Sequence, residues 1–453
     1  MVKDPHRNTP KGIDATGQAT IPSAYLVKKF MCVNASGVEF DISKIVTSFS
    51  ITEELFSPVL VLNLRIRDTI NFFEDFALSG QETIQLEIER NNGEDAIQRV
   101  KQEFTVKEYP NYEKLASSPN VQEYNIVAVS PFAYKSALNR ICRSVKGNPL
   151  ANIQKIFSDD LGVQTDAKSI CVSSFDGIIT IQSPLKAVEW LRSKSFDSFG
   201  SPIFTFSTVS SDKIQLMSLS DMWSSKNTIA QKHKYKYLQY LQNRTGTDQF
   251  YKENARRVLD MKSNIKLDKL NQALKGGFSS VTRITDVANK TYSDRVFDYS
   301  KDSLLSAAKL NPSKNLFSDN PTLTFGLLSS GLKSINQFEG ASISNLSVNT
   351  TANDGNPNSS SGPILENIAR AKSFYANMDA ITHMIAVYGD LELNPGRKIS
   401  IEIPKAVDMG EYEKLGKNEI IDKSLSGDYI VATVAHSFKD GIYTCKVQII
   451  KEA

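Results

Sequence analysis

Residues 388–403 read YGDLELNPGRKISIEI, and residues 428–450 read DYIVATVAHSFKDGIYTCKVQII. Apolar and polar residues alternate in both stretches, which is typical of strands that bury one face. The run Asn394-Pro395-Gly396 predicts a turn between two short strands in the first stretch. The second stretch predicts a hairpin that returns at 439–441.

A similar pattern occurs near the N-terminus, at GQETIQLEI (80–88), and is followed by FTVKEY (104–109) and EYNIVAVS (123–130). In both regions a glycine precedes a strand with apolar residues at every second position. These residues are Gly80, Ile84, Leu86 and Ile88 in the first region, and Gly396, Ile399, Ile401 and Ile403 in the second. The repetition is short, and it is compatible with two similar β domains in one chain.

Composition excludes several classes of protein. The chain has 453 residues, of which 40% are hydrophobic and 23% charged, and a net charge of +3. These values predict an ordinary soluble protein of several domains, with no apolar run near the ~18 residues of a membrane-spanning helix. The first 22 residues lack the apolar core of a signal peptide, and the four cysteines form no C-x-x-C pair. We therefore expect reduced cysteines and assembly in a cytoplasm.

Changes in composition and periodicity divide the chain into six parts. They are a polar N-terminal arm (1–22), a first β domain (23–130), a middle α+β domain (131–225), a basic helical and strand segment (226–300), a Ser/Asn-rich insertion or linker (301–362), and a helix with a second β domain (363–453). The predicted fold class is α+β and multidomain, with α+β domains inserted between two similar antiparallel β domains.

Several elements are predicted within these parts. Strand patterns over 38–67 break near Pro58, and Asp68 is a good N-cap for a helix over 69–78. Further helices are predicted over 131–144, 148–161, 184–196 and 255–274, because apolar residues recur there at spacings of three and four.

The sequence offers few groups for chemistry. Its four histidines have no second histidine or cysteine at metal-ligand spacing, and neither a G-x-S-x-G motif nor a P-loop is present. His436 is interpreted as a polar strand residue with a satisfied hydrogen bond. Adjacent carboxylates such as Glu53-Glu54 and Asp159-Asp160 are not the spatial pair that acid–base catalysis needs. We therefore predict no catalytic residue, no metal and no cofactor.

Residues 226–277 carry 12 Lys/Arg against four Asp/Glu. Tyrosines interleave with the lysines at Tyr235, Tyr237, Tyr240 and Tyr251, a pattern seen where single-stranded nucleic acid is bound by stacking and phosphate attraction. The alternative is a solvated face, or a surface that docks an acidic protein. We favour the alternative because no nucleic-acid-binding motif accompanies the charge.

Three blocks resemble the central baseplate hub of contractile phage tails, a family that includes the hub of T-even phages and is related to the hub portion of type VI secretion spike proteins. The blocks are ITEELFSPVLVLNLRIRDTINFFEDFALSGQETIQLEI (51–88), SPLKAVEWLRSKSF with Gly200, IFTFST and KIQLMSL (183–219), and LELNPGRKISIEI with SGDYIVATVAHSFKDGIYTCKVQII (391–450). They are similar to the family's first barrel, middle domain and closing barrel. The Ser/Asn-rich residues 311–362 depart from the family pattern.

The resemblance implies a homotrimer in which two tube-type β-barrels per chain form a ring of six similar units. Such a ring joins a threefold tail spike protein to a sixfold tail tube, or to tube-initiator proteins, and encloses a lumen for the tape-measure protein and for DNA in transit. Contact with the baseplate wedge, location in the virion of a myovirus and no stable membrane insertion are also implied.

The structural positions singled out on this basis are Gly80, Ile84, Leu86, Ile88, Pro395, Gly396, Ile399, Ile401, Ile403, Gly427, Tyr429, Val431, Val434 and His436. Three other functions stay open. They are a tube-initiator or other hub-proximal adaptor without threefold self-association, a wall-degrading tail enzyme, and a nucleic-acid binder that uses 226–277.

Overall fold

The computed structural model describes residues 24–90, 98–114, 120–224, 234–237, 256–265, 268–286, 290–299, 324–325, 333–334, 342–348, 362–378, 380–405, 421–422 and 425–451. Within these residues the fold is mostly antiparallel β-sheet with few helices. The predicted arm 1–22 and most of the predicted insertion 301–362 lie outside the described residues.

The N-terminal part is built almost entirely of strands. Its elements are β1 (Leu26–Val33), β2 (Glu39–Asp41), β3 (Val46–Glu54), β4 (Ser57–Asp68), α1 (Phe72–Asp75), β5 (Thr83–Arg90), β6 (Gln98–Glu108), β7 (Glu113–Lys114) and β8 (Gln122–Val129). The predicted break near Pro58 is present as a turn at 55–56. Pro58 is tolerated inside β4 because pairing with β8 begins only at Val61.

The helix predicted over 69–78 is shorter than expected. Asn71 occupies its N-cap position, and the Asp68 carboxylate accepts hydrogen bonds from the backbone N–H groups of Phe72 (3.0 Å) and Phe73 (3.1 Å). Asp68 is therefore not the N-cap residue that was predicted, although its carboxylate satisfies free donors of the first turn.

The middle part has its own apolar core. Its elements are α2 (Pro131–Leu138), β9 (Ile141–Val145), α3 (Pro149–Lys155) continued by a π-helical turn (Ile156–Leu161), β10 (Thr165–Ala167), β11 (Gly177–Gln182), α4 (Pro184–Arg192), β12 (Ile203–Thr208), β13 (Ser211–Ser218) and α5 (Leu219–Trp223). The helix predicted over 131–144 is wrong after Leu138, because residues 141–145 form a strand that pairs with β11.

The remaining elements lead to the C-terminal strands. They are β14 (Lys234–Lys236), β15 (Val258–Ile265), α6 (Lys269–Leu274), β16 (Ser279–Asp286), β17 (Thr291–Asp298), β18 (Thr324–Phe325), β19 (Lys333–Ser334), β20 (Ile343–Val348), α7 (Gly362–Asn377), β21 (Ile381–Tyr388), β22 (Lys398–Glu402), β23 (Gly427–Lys439) and β24 (Ile442–Lys451). The hairpin over 428–450 is confirmed, with Asp440 and Gly441 at positive φ in its turn.

Two predictions in this region are wrong. Residues 258–265 form a strand instead of a helix, because β15 pairs along β21, which satisfies the backbone groups on one edge of β15. Residues 391–393 lie in the loop between β21 and β22 and do not form a strand. Among the described residues of the tract predicted as helical, 269–274 form a helix.

One sheet of 14 strands unites the two ends of the chain. Its order is β15-β21-β24-β23-β3-β4-β8-β6-β5-β1-β2, with β22 pairing β14 and β23, and with β7 beside β8. The central contact pairs β23 with β3, from Thr433 opposite Glu54 to Lys439 opposite Ser48. Side chains from both ends of the chain belong to one hydrophobic core.

No helix in the described part of the chain combines the length and hydropathy needed to cross a membrane.

Candidate functional site

A buried polar cluster lies where β3 pairs with β23. Glu53 on β3 and His436 on β23 are both fully buried, and His436 Nε2 lies 3.0 Å from Glu53 Oε1. On its other side, His436 Nδ1 lies 2.7 Å from the Tyr443 hydroxyl and 3.4 Å from Cys445 Sγ. We call Glu53, His436, Tyr443 and Cys445 the junction cluster.

Protonation of the junction cluster follows from its contacts. Burial by itself lowers the pKa of His436, but the Cys445 sulfur and the Glu53 carboxylate outweigh it and raise that pKa to about 10. Burial also raises the pKa of Glu53, against the hydrogen bonds that it accepts from His436 and Val209. Both shifts keep a proton in the cluster at a pH where isolated histidine and glutamate side chains have lost theirs.

The junction cluster also holds the middle part of the chain. Val209 lies between β12 and β13 and is buried in the core shared by the two chain ends. Its N–H donates to Glu53 Oε2 (2.7 Å), and its carbonyl accepts from Gln102 Nε2 on β6 (3.1 Å). Glu53 therefore contacts three parts of the chain, because it lies on β3 and binds both β23 and the β12–β13 loop.

Neighbouring contacts strengthen this attachment of the β12–β13 loop. The Ser207 hydroxyl donates to the carbonyl of Pro58, and Asn394 Nδ2 donates to Ser210 Oγ (2.8 Å). The three parts of the chain are thus fixed to one another by buried and partly buried hydrogen bonds, and the arrangement suits a rigid structural element.

The turn predicted at Asn394-Pro395-Gly396 is present, and Gly396 has a φ of 75°. Gly396 N–H donates to the carbonyl of Val431 (2.9 Å), and Val431 N–H donates to the carbonyl of Arg397 (2.9 Å). A β-carbon at Gly396 would approach the Phe206 ring to 2.9 Å, so both backbone conformation and space favour glycine here.

Most of the other predicted positions are core residues. The buried side chains on β5 are Ile84, Leu86 and Ile88. Those at the C-terminal end are Ile399 and Ile401 on β22, Ile403 just after it, and Tyr429, Val431 and Val434 on β23. Pro395 is buried in the turn, and Gly427 begins β23 at a φ of 126°. The structure therefore divides the predicted positions between the two ends of one sheet, and His436 is the member that lies in the junction cluster.

Gly80 has a φ of 85°, and its N–H donates to Glu82, a residue that was not among the predicted positions. The Glu82 side chain is fully buried and accepts hydrogen bonds from Ser79 N–H, Gly80 N–H and the Tyr109 hydroxyl. Burial opposes ionisation of Glu82, but these donors outweigh it and lower its pKa. A glutamate two residues after a turn glycine is the signal that could have identified it.

Glu53 was also missed, although the sequence contains a signal for it. Phe49, Ile51 and Glu53 occupy alternate positions of β3, so Glu53 faces the same side as two buried apolar residues. A carboxylate at an inward position requires a partner, and here the partner comes from β23.

The described tyrosines of the basic tract are buried or partly buried, whereas a nucleic-acid-binding surface would expose them. Tyr235 is 1% exposed, in the shared core, and Tyr237 packs partly against the same core. Lys234 and Lys236 form ion pairs with Glu402 on β22. Tyr240 and Tyr251 lie outside the described residues. Residues 234–236 of this tract therefore pair with β22, and Tyr235 is too deeply buried to stack on a base.

In the described part of the chain, no group of three or more histidine, cysteine or carboxylate side chains is placed to hold a metal ion. His383 on β21 is fully buried and bonds Ser263 and Tyr429 through its two ring nitrogens.

No protein-family model and no curated protein matches the sequence at a significant level. Solved structures match the fold. A tail protein from Neisseria meningitidis MC58 has a TM-score of 0.52 at 9% identity, covering 94% of this chain and 97% of that chain. The 43 kDa tail protein of prophage MuSo2 from Shewanella oneidensis has a TM-score of 0.48 at 11% identity, covering 93% and 98%.

An E. coli component of the type VI secretion system, described as similar to T4 bacteriophage tail proteins, has a TM-score of 0.42 at 9% identity, covering 95% of this chain and 77% of that chain. This chain shares the fold of the Neisseria protein along nearly all of both sequences. The chain therefore has the fold of a tail protein, and the predicted resemblance is confirmed at that level.

Proposed function

We propose that this protein is a structural baseplate hub of a contractile phage tail, located in the virion and assembled in the host cytoplasm. The observation that carries the proposal is the fold shared with a tail protein over 94% of this chain and 97% of the other. The junction cluster supports it, because an adaptor that transmits load between parts of a tail requires domains that do not move independently.

In this proposal three copies join a threefold spike to the sixfold tube or to a tube-initiator protein. The two ends of each chain supply two similar barrel-like units to a ring of six, around a lumen for the tape-measure protein and for DNA in transit. The edge strand β15 supports self-association, since among the described strands it pairs only with β21. Leu259 and Ile265 on β15 are 40% and 45% exposed, which suits a strand covered by a neighbouring copy.

We propose a structural rather than an enzymatic role. The junction cluster brings together the types of residue found in nucleophilic catalysis, but Cys445, His436 and Glu53 are each 0% exposed. A substrate such as a cell-wall glycan cannot reach the sulfur without separating β3 from β23. The wall-degrading alternative is therefore less well supported than a hub or a hub-proximal adaptor.

The first test is the mass of the purified chain, measured by light scattering on a sizing column over a range of concentrations. We expect a mass of three chains, and class averages by electron microscopy that show a ring. Ile265→Lys should weaken the trimer by placing a charge on the β15 edge. Ile178→Lys is the matched control, because Ile178 is 66% exposed on β11 of the middle part.

A monomer at every concentration would contradict the hub and favour the tube-initiator adaptor. A trimer that both variants leave intact would contradict the role assigned to the β15 edge.

A further inference from the structure

A cleft of about 770 Å³ lies between the N-terminal strands and the middle part of the chain. Its lining includes residues 101–103 of β6 and residues 130–132, which directly follow β8. Binding clefts in proteins commonly measure about 300–1,000 Å³, so this cleft has room for several side chains.

The cleft lies where β8 leaves the sheet. β8 pairs with β6 only near the end of β6, where Val129 lies opposite Thr105. The chain then enters α2, so residues 98–104 of β6 pair with β5 on one side and with no described strand on the other. If β8 continued in the same direction, it would pass Glu103 and then Lys101. The lining residues of β6 therefore belong to an open edge of the sheet.

The hydrogen bonds of β6 show which of its main-chain groups point to this open edge. Val106 N–H donates to the carbonyl of Glu82, which directly precedes β5 (2.9 Å), and β5 and β6 then pair without a register shift. Main-chain groups of an antiparallel strand point to alternate sides, so those of Glu103 and Lys101 point away from β5. On that side, no described residue bonds them. They are free to pair with an added strand.

The side chains of this edge carry opposite charges. Lys101 and Glu103 are exposed, and they point to the same face of the sheet because they lie two positions apart. Neither forms an ion pair with another described residue. Glu87 on β5 lies opposite Lys101 but also opposite Lys29, so one of these two positive charges is not balanced. Glu103 lies opposite the neutral Gln85.

The position between the two charges faces the apolar side of the sheet. Gln102 points to the same face as Val100 and Phe104, which are buried in the shared core with Leu60. The facing wall of the cleft adds one charge of each sign, Lys135 and Asp212. The pattern that a ligand would meet along β6 is therefore positive, apolar and negative.

We propose that β6 binds an extended segment of another protein chain in this cleft, antiparallel to β6 as β5 and β8 are. The segment carries an acidic residue opposite Lys101, a basic residue opposite Glu103 and an apolar residue between them. Antiparallel pairing fixes their order as basic, apolar and acidic along the segment. The inference does not rest on the proposed function, because the mass of the chain tests the hub and peptide binding tests the cleft.

The test is fluorescence anisotropy of the intact chain with labelled, capped peptides of seven residues. Two threonines flank a central triplet on each side, and the triplet is lysine-valine-glutamate in the matching peptide and glutamate-valine-lysine in the reversed peptide. We expect the matching peptide to bind about fivefold more tightly, because the reversed order places like charges opposite each other. Triplets with two glutamates, with two lysines, or with asparagine instead of valine should also bind more weakly than the matching peptide.

Exchanging the two charges of the protein tests the assigned pairing. Lys101→Glu combined with Glu103→Lys should reverse the preference, so that the reversed peptide binds more tightly. Lys107→Glu combined with Glu108→Lys is the matched control, because both residues are exposed on β6 and lie outside the cleft lining. This control should leave the preference for the matching peptide unchanged.

Equal binding of the matching and reversed peptides, or a preference that the exchange at 101 and 103 does not alter, would overturn the proposal. Tightest binding of the peptide with two glutamates or two lysines would overturn it in favour of a simple charged patch. If the exchanged variant fails to fold, hydrogen exchange of the wild-type chain gives an independent readout. The matching peptide should slow exchange of the Lys101 and Glu103 N–H groups, and unchanged exchange would contradict strand addition.

Discussion

Two buried histidines in the C-terminal strands differ in charge because their neighbours differ. His436 lies beside a carboxylate and a sulfur, and its pKa is raised to about 10. His383 lies between two hydroxyl groups, and burial together with the Lys451 charge lowers its pKa to about 4. At neutral pH the first is therefore charged and the second neutral, although both side chains are 0% exposed.

The hydrogen bonds agree with this difference. The Tyr429 hydroxyl donates to the carbonyl of Leu425 (2.5 Å), so His383 Nε2–H donates to the tyrosine oxygen and Nδ1 accepts from Ser263. The charged histidine lies where three parts of the chain meet. The neutral histidine bonds residues of β15 and β23, within the C-terminal end of the sheet. Breaking an ion pair in a fully buried position costs more than breaking neutral hydrogen bonds.

Glu53→Ala is expected to have the largest effect on stability among the substitutions that test the difference between the two histidines. The substitution leaves the protonated His436 buried without its carboxylate and the Val209 N–H without its acceptor. We expect a loss of about 3–5 kcal/mol in the free energy of unfolding, measured by urea denaturation. Glu54→Ala is the control, because Glu54 is the next residue on the exposed face of β3, and should change stability by less than about 0.5 kcal/mol. Equal losses in the two variants would contradict the assigned role of Glu53.

The second prediction concerns alkaline pH. An unfolded histidine releases its proton near pH 6.5, whereas His436 keeps its proton up to about pH 10. The stability that this site contributes is therefore complete below about pH 6.5 and is lost as the pH rises towards 10. We expect His436→Gln to flatten the decline in unfolding free energy between about pH 7 and pH 9.5. An unchanged slope would mean that His436 is neutral in the folded chain.

His383 should have the opposite dependence on pH. Its pKa in the folded chain lies below 6.5, so the unfolded chain binds more protons as the pH falls from 6.5 towards 4. Its contribution is complete above about pH 6.5 and is lost on acidification, by about 1–3 kcal/mol. His383→Gln should reduce the acid slope of the unfolding free energy without changing the alkaline slope. A variant that changes only the alkaline slope would reverse the assignment of the two histidines.

The smallest expected losses of stability come from removing the hydroxyl groups of Tyr443 and Tyr429, and the two losses should differ. Tyr443→Phe removes the partner of a charged histidine and should cost about 1.5–3 kcal/mol, whereas Tyr429→Phe removes the partner of a neutral histidine and should cost about 1 kcal/mol. Both hydroxyls belong to side chains that are 0% exposed, so burial is matched between the two variants. Thermal or urea unfolding of the two variants side by side measures the difference, and equal costs would argue that the two histidines have the same charge.

The two ends of the chain repeat a pattern that was visible in the sequence. Gly80 and Gly396 both have positive φ values, and the strands that follow, β5 and β22, bury alternate residues. The reason for each glycine differs, because a β-carbon at Gly80 meets no atom within 4 Å and one at Gly396 meets the Phe206 ring. Local sequence predicted the turns, whereas the partner that crowds Gly396 comes from β12.

The sequence by itself determined the alternating strands, the turn at 394–396 and the hairpin over 428–450, because these features depend on local backbone preferences and on a period of two. The alternation of residues along β3 also indicated that Glu53 faces the core. Tertiary structure decided the rest. Pairing with β21 made a strand of 258–265, where apolar residues at helical spacing had predicted a helix. Pairing of β3 with β23 brought Glu53 to His436, because the free energy of burying a carboxylate depends on a partner supplied from the opposite end of the chain.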